Sequence, residues 1–287
     1  MKISLLKPPS APNGVLDQWV PEFEKRGVEV LINYIDETCD FILCSSHSQT
    51  DKMVAAHKAY PDIPIINYHW DIYEWHKKQH YDWDLYGKYL AKSIDIWCPS
   101  EEVILRTEEY FGLGSLCHII KTFARFFEYD DVQDKRYVFQ PMRAYHHDRN
   151  YGWTQKACKE LGIPLVESMH KLSQEDFEKT IAHCSFLLCE YYEASTGGLT
   201  LLEGHRLGKE VLVCDSDYMG ARDYFGDRAH YFKHDDYEDF KKQILHLWDS
   251  KSSLDRQDCE KFTDQYSLDL MVDKMTQRLH FLKDTIS

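Results

Sequence analysis

The chain has 287 residues, which is longer than most single compact domains, so two domains of similar size are expected. Hydrophobic residues make up 43% and charged residues 29%, as in an ordinary globular protein, and this composition excludes extended disorder. With 48 acidic against 34 basic residues, the net charge of −14 would repel a polyanion over most of the surface. Nucleic acid as the main partner is therefore disfavoured.

The cysteines and the opening of the chain bear on its location. The nine cysteines form no C-x-x-C pair, and several lie in apolar runs such as FILC and VLVC. This pattern indicates buried free thiols in a reducing compartment instead of a disulfide framework or a zinc site. The opening MKISLLKPPS lacks the apolar core of a signal peptide, and no apolar run approaches the length of a membrane span. We expect a cytoplasmic protein with, at most, peripheral membrane contact.

Short apolar runs rich in β-branched residues alternate with stretches of helical period, which predicts βαβ units and parallel sheets. In the first half the strand-like runs are 3–6, 28–32, 40–44, 63–67, 94–98 and 116–120, with helical stretches at about 15–26, 49–60, 71–92 and 101–111. In the second half they are 136–140, 163–167, 185–189, 210–214 and 229–232. The sequence therefore predicts two successive parallel sheets.

A charged stretch without apolar periodicity, 125–136, separates the two series and is the expected linker. We predict an N-terminal domain over 1–130 and a C-terminal domain over 131–287. An amphipathic helix at about 267–284 closes the chain and can pack back on the N-terminal domain.

Ligands of parallel α/β sheets bind at the carboxyl ends of the strands. One strand there is followed by a loop with Glu193 and Gly197-Gly198, and a helix begins near Leu199 and carries Glu203. Paired glycines let the backbone approach a diphosphate, whose charge is favoured at a helix start. A carboxylate one turn later can accept hydrogen bonds from ribose hydroxyls. The alternative is an ordinary tight turn followed by a solvated helix face.

This segment resembles the donor-binding stretch of glycosyltransferase family four, and LLEGHRLGKEVLVCDSDYMGARDYF (201–225) matches its later part. Glu193 and Glu203 lie ten positions apart, whereas the family's two glutamates lie eight apart, and Ser195 occupies the family's register. We assign the sugar hydroxyls to Glu193, with loss of the first carboxylate as the alternative. The resemblance extends to 93–112, 117–127 and 138–165.

The resemblance implies an α/β fold of the GT-B type, with two facing Rossmann-like domains, parallel sheets and a closing helix. The donor would be held mainly by the second domain and the acceptor by the first, with transfer in the cleft between them. It further implies a metal-independent, retaining hexosyl- or pentosyltransferase. No cofactor is expected, because the nucleotide-sugar, linked to UDP, GDP or ADP, is a co-substrate.

Further site residues follow from the same resemblance. Arg143 and Arg149 stand near the positions where the family holds the donor diphosphate, and a guanidinium suits that ligand. Gly14 lies in a loop similar to the family's glycine loop near the donor phosphates, or it is a plain βα turn. His69, followed by Asp71 after a strand, is expected to contact the transferred sugar or the acceptor. The predicted catalytic set is therefore His69, Arg143, Arg149 and Glu193.

Aromatic and basic residues interleave over 73–92, with Trp75 among them. They fit a stacking platform for the acceptor or a face lying on a membrane. The alternative is a helix that packs its aromatic side chains on the core and leaves its lysines in water.

Two D-x-D sequences, at 82–84 and 215–217, match the metal-binding pattern of the other large transferase fold. The order of the surrounding elements favours the metal-free fold.

Two other functions stay open: a catalytically inactive nucleotide- or sugar-binding protein of the same fold, and a sugar transferase acting on a nucleotide or nucleic-acid base. The predicted acceptor is a glycan, a lipid or a small molecule.

Overall fold

The computed structural model describes residues 1–8, 16–70, 81–141, 151–168, 172–191, 198–217, 220–250 and 254–286. The chain divides into two compact units. The first unit comprises Met1–Thr122 with Leu268–Ser287, and the second comprises Phe123–Ser267.

The first unit is built on a six-stranded parallel sheet in the order β2-β1-β3-β4-β5-β6. Its strands are β1 (Lys2–Leu6), β2 (Glu29–Ile32), β3 (Phe41–Cys44), β4 (Ile65–Tyr68), β5 (Asp95–Cys98) and β6 (Cys117–Ile119). Its helices are α1 (Trp19–Lys25), α2 (Thr50–Ala59), α3 (Trp83–Leu90), α4 (Glu101–Phe111) and the closing α11 (Leu268–Ile286). The three strands β3, β4 and β5 are buried along their whole length, as the central strands of a covered parallel sheet must be.

The second unit carries a five-stranded parallel sheet in the order β11-β10-β9-β7-β8. Its strands are β7 (Val138–Gln140), β8 (Leu165–Glu167), β9 (Phe186–Cys189), β10 (Glu210–Asp215) and β11 (His230–Lys233). Its helices are α5 (Trp153–Leu161), α6 (Gln174–His183), α7 (Leu199–Arg206), α8 (Ala221–Phe225), α9 (Tyr237–Asp249) and α10 (Arg256–Thr263). One face of the sheet packs its core residues, such as Val138, Leu188 and Leu212, against α5 and α9. The two predicted parallel sheets are thus confirmed.

The structure describes part of the aromatic and basic stretch 73–92 as helix α3, which distinguishes between the possible roles of that part. Trp83, Tyr86 and Tyr89 are buried, while Lys88 and Lys92 are exposed. This arrangement fits the core-packing alternative. Asp82, from the first D-x-D sequence, caps the helix, because its Oδ1 accepts a hydrogen bond from the Leu85 N–H at 2.9 Å.

The predicted closing helix is confirmed as α11, which buries Met271, Met275 and Leu279 on one face. No helix within the described residues is both long and apolar enough to cross a membrane. All nine cysteines are free thiols, and all except Cys117 are buried. This agrees with the buried free thiols predicted from their apolar surroundings.

Candidate functional site

The carboxyl ends of β7, β9 and β10 meet at one edge of the second sheet, because all three run parallel. The segments that follow these strands carry most of the residues predicted to bind the donor. Helix α7 starts here, after β9. In a parallel sheet this edge is where a ligand binds.

Helix α7 begins directly after Gly198, as the sequence indicated. Gly198 has φ +92°, a left-handed backbone conformation that residues other than glycine rarely adopt. The backbone therefore requires glycine at this position. Its carbonyl accepts the first hydrogen bond of the helix, from the Leu201 N–H at 3.0 Å. Leu199, the first helical residue, is partly buried. The backbone N–H groups of the first turn therefore lie at the carboxyl edge of the sheet, where they can meet an anion.

Glu203 lies one turn further along α7 and is partly buried. Its Oε1 accepts a hydrogen bond from the Arg125 backbone N–H at 3.2 Å. The carboxylate thereby fixes the segment around Arg125 beside the helix. Glu203 is thus not the solvated helix-face residue of the alternative account.

A second carboxylate at this edge, Glu190, was not singled out from the sequence. It follows β9 and is only 2% exposed. Its Oε2 accepts hydrogen bonds from the N–H groups of Trp153 at 2.8 Å and Thr154 at 2.9 Å. These are the first two residues of α5, whose N-cap residue Gly152 provides no side-chain cap. Glu190 therefore caps α5 from the neighbouring strand end, and its only sequence signal was a lone charge directly after the apolar run FLLC.

Two buried polar atoms belong to residues near the carboxyl ends of the strands. Gln140 ends β7 and is 1% exposed, and neither its Oε1 nor the Oγ1 of Thr154 has a hydrogen-bond partner among the described residues. Val138 faces α5 in the core, so Gln140, two positions later, points to the same side. Unsatisfied buried polar atoms are rare in folded proteins because each costs free energy. The carboxyl edge is therefore chemically distinct from the apolar core beneath it.

Asp215, from the second D-x-D sequence, is engaged in an ion pair. Arg222 on α8 donates to both of its carboxylate oxygens, with Nε to Oδ1 and Nη2 to Oδ2 each at 2.8 Å. The hydrogen bond from Arg222 holds the pKa of Asp215 below its usual value. A bidentate guanidinium on this carboxylate competes with any cation that would bind there.

His69 follows β4 at the carboxyl edge of the first sheet, where the sequence placed it. Its side chain is 1% exposed, and its Nδ1 lies 2.8 Å from the Tyr86 hydroxyl oxygen. The Tyr86 hydroxyl in turn donates to Asn67 Oδ1 at 3.3 Å. The ring is thereby fixed in orientation by its neighbours.

The other predicted site residues lie outside the described residues. They are Gly14, Asp71, Trp75, Arg143, Arg149, Glu193 and Gly197. Of the predicted donor set, the structure thus describes Gly198, Leu199 and Glu203, and it brings these three together on one helix start.

The chain matches no protein-family model and no curated protein by sequence. Its fold, however, matches solved structures over almost its whole length. A sucrose-phosphate synthase from Thermosynechococcus elongatus has a TM-score of 0.80 at 9% identity, with 99% of each chain covered. The lipopolysaccharide outer core galactosyltransferase WaaB has a TM-score of 0.70 at 12% identity, covering 99% of this chain and 100% of its own.

HepE from Anabaena, solved in complex with UDP-glucose, is similar to the chain with a TM-score of 0.71 at 11% identity. The alignment covers 98% of this chain and 99% of HepE. At such identities the likeness establishes the fold. The predicted GT-B type, with two α/β units each on a parallel sheet, is therefore confirmed.

Proposed function

We propose that the chain is a glycosyltransferase that moves a sugar from a nucleotide-sugar to a glycan, lipid or small-molecule acceptor. The observation that carries the proposal is the start of α7. A glycine in a left-handed conformation opens the helix at the carboxyl edge of the sheet, and a partly buried carboxylate follows one turn later. The fold supports it too, since HepE, of similar fold, is solved with UDP-glucose.

The proposed donor site lies in the second unit. The N–H groups at the start of α7 and the arginines Arg143 and Arg149 would hold the diphosphate, and Glu203 would accept hydrogen bonds from the ribose. Glu193 would hold the sugar hydroxyls, with Gly14 and Gly197 near the donor. The residues that would bind or position the acceptor are His69, Asp71 and Trp75.

The proposed catalytic effect is stabilisation of the leaving nucleoside diphosphate. Negative charge builds on that group as the bond to the sugar breaks, and preorganised N–H donors and guanidinium groups can offset the charge without a metal. The proposed reaction is metal-independent and retains the anomeric configuration. Transfer of either a hexose or a pentose would be compatible with this chemistry.

The first experiment is thermal unfolding of the full chain with UDP-, GDP- and ADP-glucose. A ligand that binds only the folded form raises the unfolding midpoint by mass action, so the true donor class should produce the largest shift. Turnover is then measured as slow hydrolysis of that donor, with water replacing the acceptor. No shift with any nucleotide-sugar would refute the proposal, while binding without hydrolysis or transfer would support an inactive binding protein.

The second experiment replaces Arg143 by Ala. Loss of a charged hydrogen bond to the leaving group should lower donor turnover about 100-fold while the unfolding midpoint stays near that of the wild type. The matched control is Arg136→Ala, because Arg136 instead contacts Asp134 and the Trp248 ring. Near-normal turnover of the Arg143 variant would reject the proposed mechanism.

A further inference from the structure

The segment that opens the second unit is fixed on both sides of Arg125, by Tyr266 before it and by α7 at and after it. The Arg125 N–H donates to Glu203 Oε1 at 3.2 Å, and the Ala124 N–H donates to the Tyr266 carbonyl at 3.1 Å. Next along the chain, the Phe126 ring lies 4.6 Å from the guanidinium carbon of Arg206 on α7. The Arg125 side chain therefore emerges at a fixed point beside the helix that carries Glu203.

The Arg125 guanidinium differs from those of the other described arginines in its contacts. Each of the others contacts a carboxylate or an aromatic ring. The Arg125 side chain is partly buried and makes neither contact within the described part of the chain. Acidic residues outnumber basic ones by 48 to 34, so carboxylate partners are abundant in this protein.

A partly buried guanidinium gains most from an anion that accepts several of its N–H groups at once. The proposed nucleotide-sugar brings such an anion to this place, because Glu203, whose carboxylate holds Arg125, is the proposed ribose-binding residue. We propose that Arg125 is a further donor-binding residue, whose guanidinium donates to the phosphates of the nucleoside diphosphate. This inference rests on the proposed function and adds a third arginine to Arg143 and Arg149.

The test is isothermal titration calorimetry of the full chain with UDP, uridine and inorganic pyrophosphate. If thermal unfolding identifies a GDP- or ADP-linked donor, GDP or ADP and the matching nucleoside replace UDP and uridine. Arg125→Ala keeps the backbone N–H that contacts Glu203, so the fold should be retained, which the unfolding midpoint checks. Loss of the charged contact should weaken UDP binding about 10- to 100-fold and leave uridine binding unchanged. Arg125→Lys, which keeps the charge but not the planar fork, should lie between the two. Arg136→Ala is the matched control and should bind UDP as the wild type does.

The possible results distinguish a failure of the Arg125 assignment from a failure of the proposed function. If Arg125→Ala binds UDP as tightly as the wild type, the role of Arg125 is refuted and the proposed function stands. If the wild type binds pyrophosphate through Arg125 but binds none of UDP, GDP and ADP, the anion site stands and the nucleotide-sugar proposal fails. If the wild type binds none of the three nucleoside diphosphates and no pyrophosphate, both fail. An equal loss of uridine and UDP binding would place Arg125 against the base or ribose and overturn the phosphate assignment.

Discussion

Glu190 shows how a single buried carboxylate can organise the edge of a sheet. An acidic group is favoured at a helix start, where N–H groups lack intrahelical acceptors and the helix dipole is positive. Glu190 reaches α5 from the end of β9, so it joins two elements that are far apart in sequence. It lies three residues before Glu193, while α5 begins four residues after Arg149. One side chain thus holds together the elements from which both predicted donor loops extend.

Replacing Glu190 by Ala should lower the free energy of unfolding by about 1–2 kcal/mol, the usual cost of losing a helix cap. Glu190→Gln should lower it less, because the amide oxygen can still accept a hydrogen bond from the helix start. Urea unfolding followed by circular dichroism measures both. Glu175→Ala, at an exposed position of the first turn of α6, is the control. A Glu190→Ala variant as stable as the wild type would show that the cap contributes nothing.

The ion pair between Asp215 and Arg222 leads to a prediction about metals. Because both carboxylate oxygens of Asp215 are already hydrogen-bonded to a guanidinium, we expect the second D-x-D sequence to have no catalytic metal role. Donor hydrolysis should continue at an unchanged rate in excess EDTA, and Asp215→Ala should keep at least about half of it. Loss of hydrolysis in EDTA, restored by added Mg²⁺ or Mn²⁺, would instead revive the metal mechanism.

Helix α7 packs against β9 through Gly204, the residue after Glu203. A Cβ atom added at Gly204 would overlap Cδ1 of Leu187 and lie 2.9 Å from its Cδ2. Leu187 is fully buried on β9, so it has little space to move away. The close approach of helix and strand thus depends on glycine at this position.

Gly204→Ala should therefore lower the free energy of unfolding by about 1–3 kcal/mol through overpacking, although alanine favours helices more than glycine does. The double variant with Leu187→Ala should lose less than the sum of the two single variants, because the smaller side chain makes room for the new methyl group. Denaturant unfolding of all four proteins completes the cycle. Strict additivity would contradict the proposed clash.

Much of the element pattern could be predicted because buried parallel strands leave a strong sequence signal. The run FILC became β3 and EVLVC became most of β10, both almost wholly buried. Glycine likewise marked the start of α7, since the left-handed backbone at Gly198 excludes most other residues. By contrast, Glu190 and Arg125 were not identified. Their significance depends on partners distant in sequence, Thr154 and Glu203, which no local pattern indicates.

The first D-x-D sequence shows that a short motif can match a functional pattern for a purely structural reason. Asp82 and Asp84 have the spacing of a metal site, but Asp82 caps α3 and Asp84 lies in its first turn. Helix starts favour acidic residues for reasons unrelated to metals. The order of the strands within each sheet also had no local signal, because it depends on which strands pair after the crossovers form.

The last helix of the chain packs in the unit that the beginning of the chain forms. Helix α11 belongs to the first unit, although the second unit precedes it in sequence. Arg278 on α11 donates from Nε and Nη2 to the two carboxylate oxygens of Asp95, each at 2.8 Å. Asp95 starts β5, is 1% exposed and also accepts a hydrogen bond from Trp97 Nε1 at 2.7 Å. The first sheet therefore depends on residues supplied by the last helix.

Arg278→Ala should lower the free energy of unfolding by about 2–4 kcal/mol, because it removes the guanidinium from a buried carboxylate and leaves it with Trp97 Nε1 and with His118 Nε2, which lies 3.0 Å from Oδ1. The main cost is the loss of the guanidinium from the buried charge of Asp95, so adding Asp95→Asn to this variant should recover part of the loss. Thermal and urea unfolding of the wild type, both single variants and the double variant measure the effect. If Arg278→Ala were as stable as the wild type, or if Asp95→Asn gave no recovery in its background, α11 would be held mainly by its apolar face instead of by this pair.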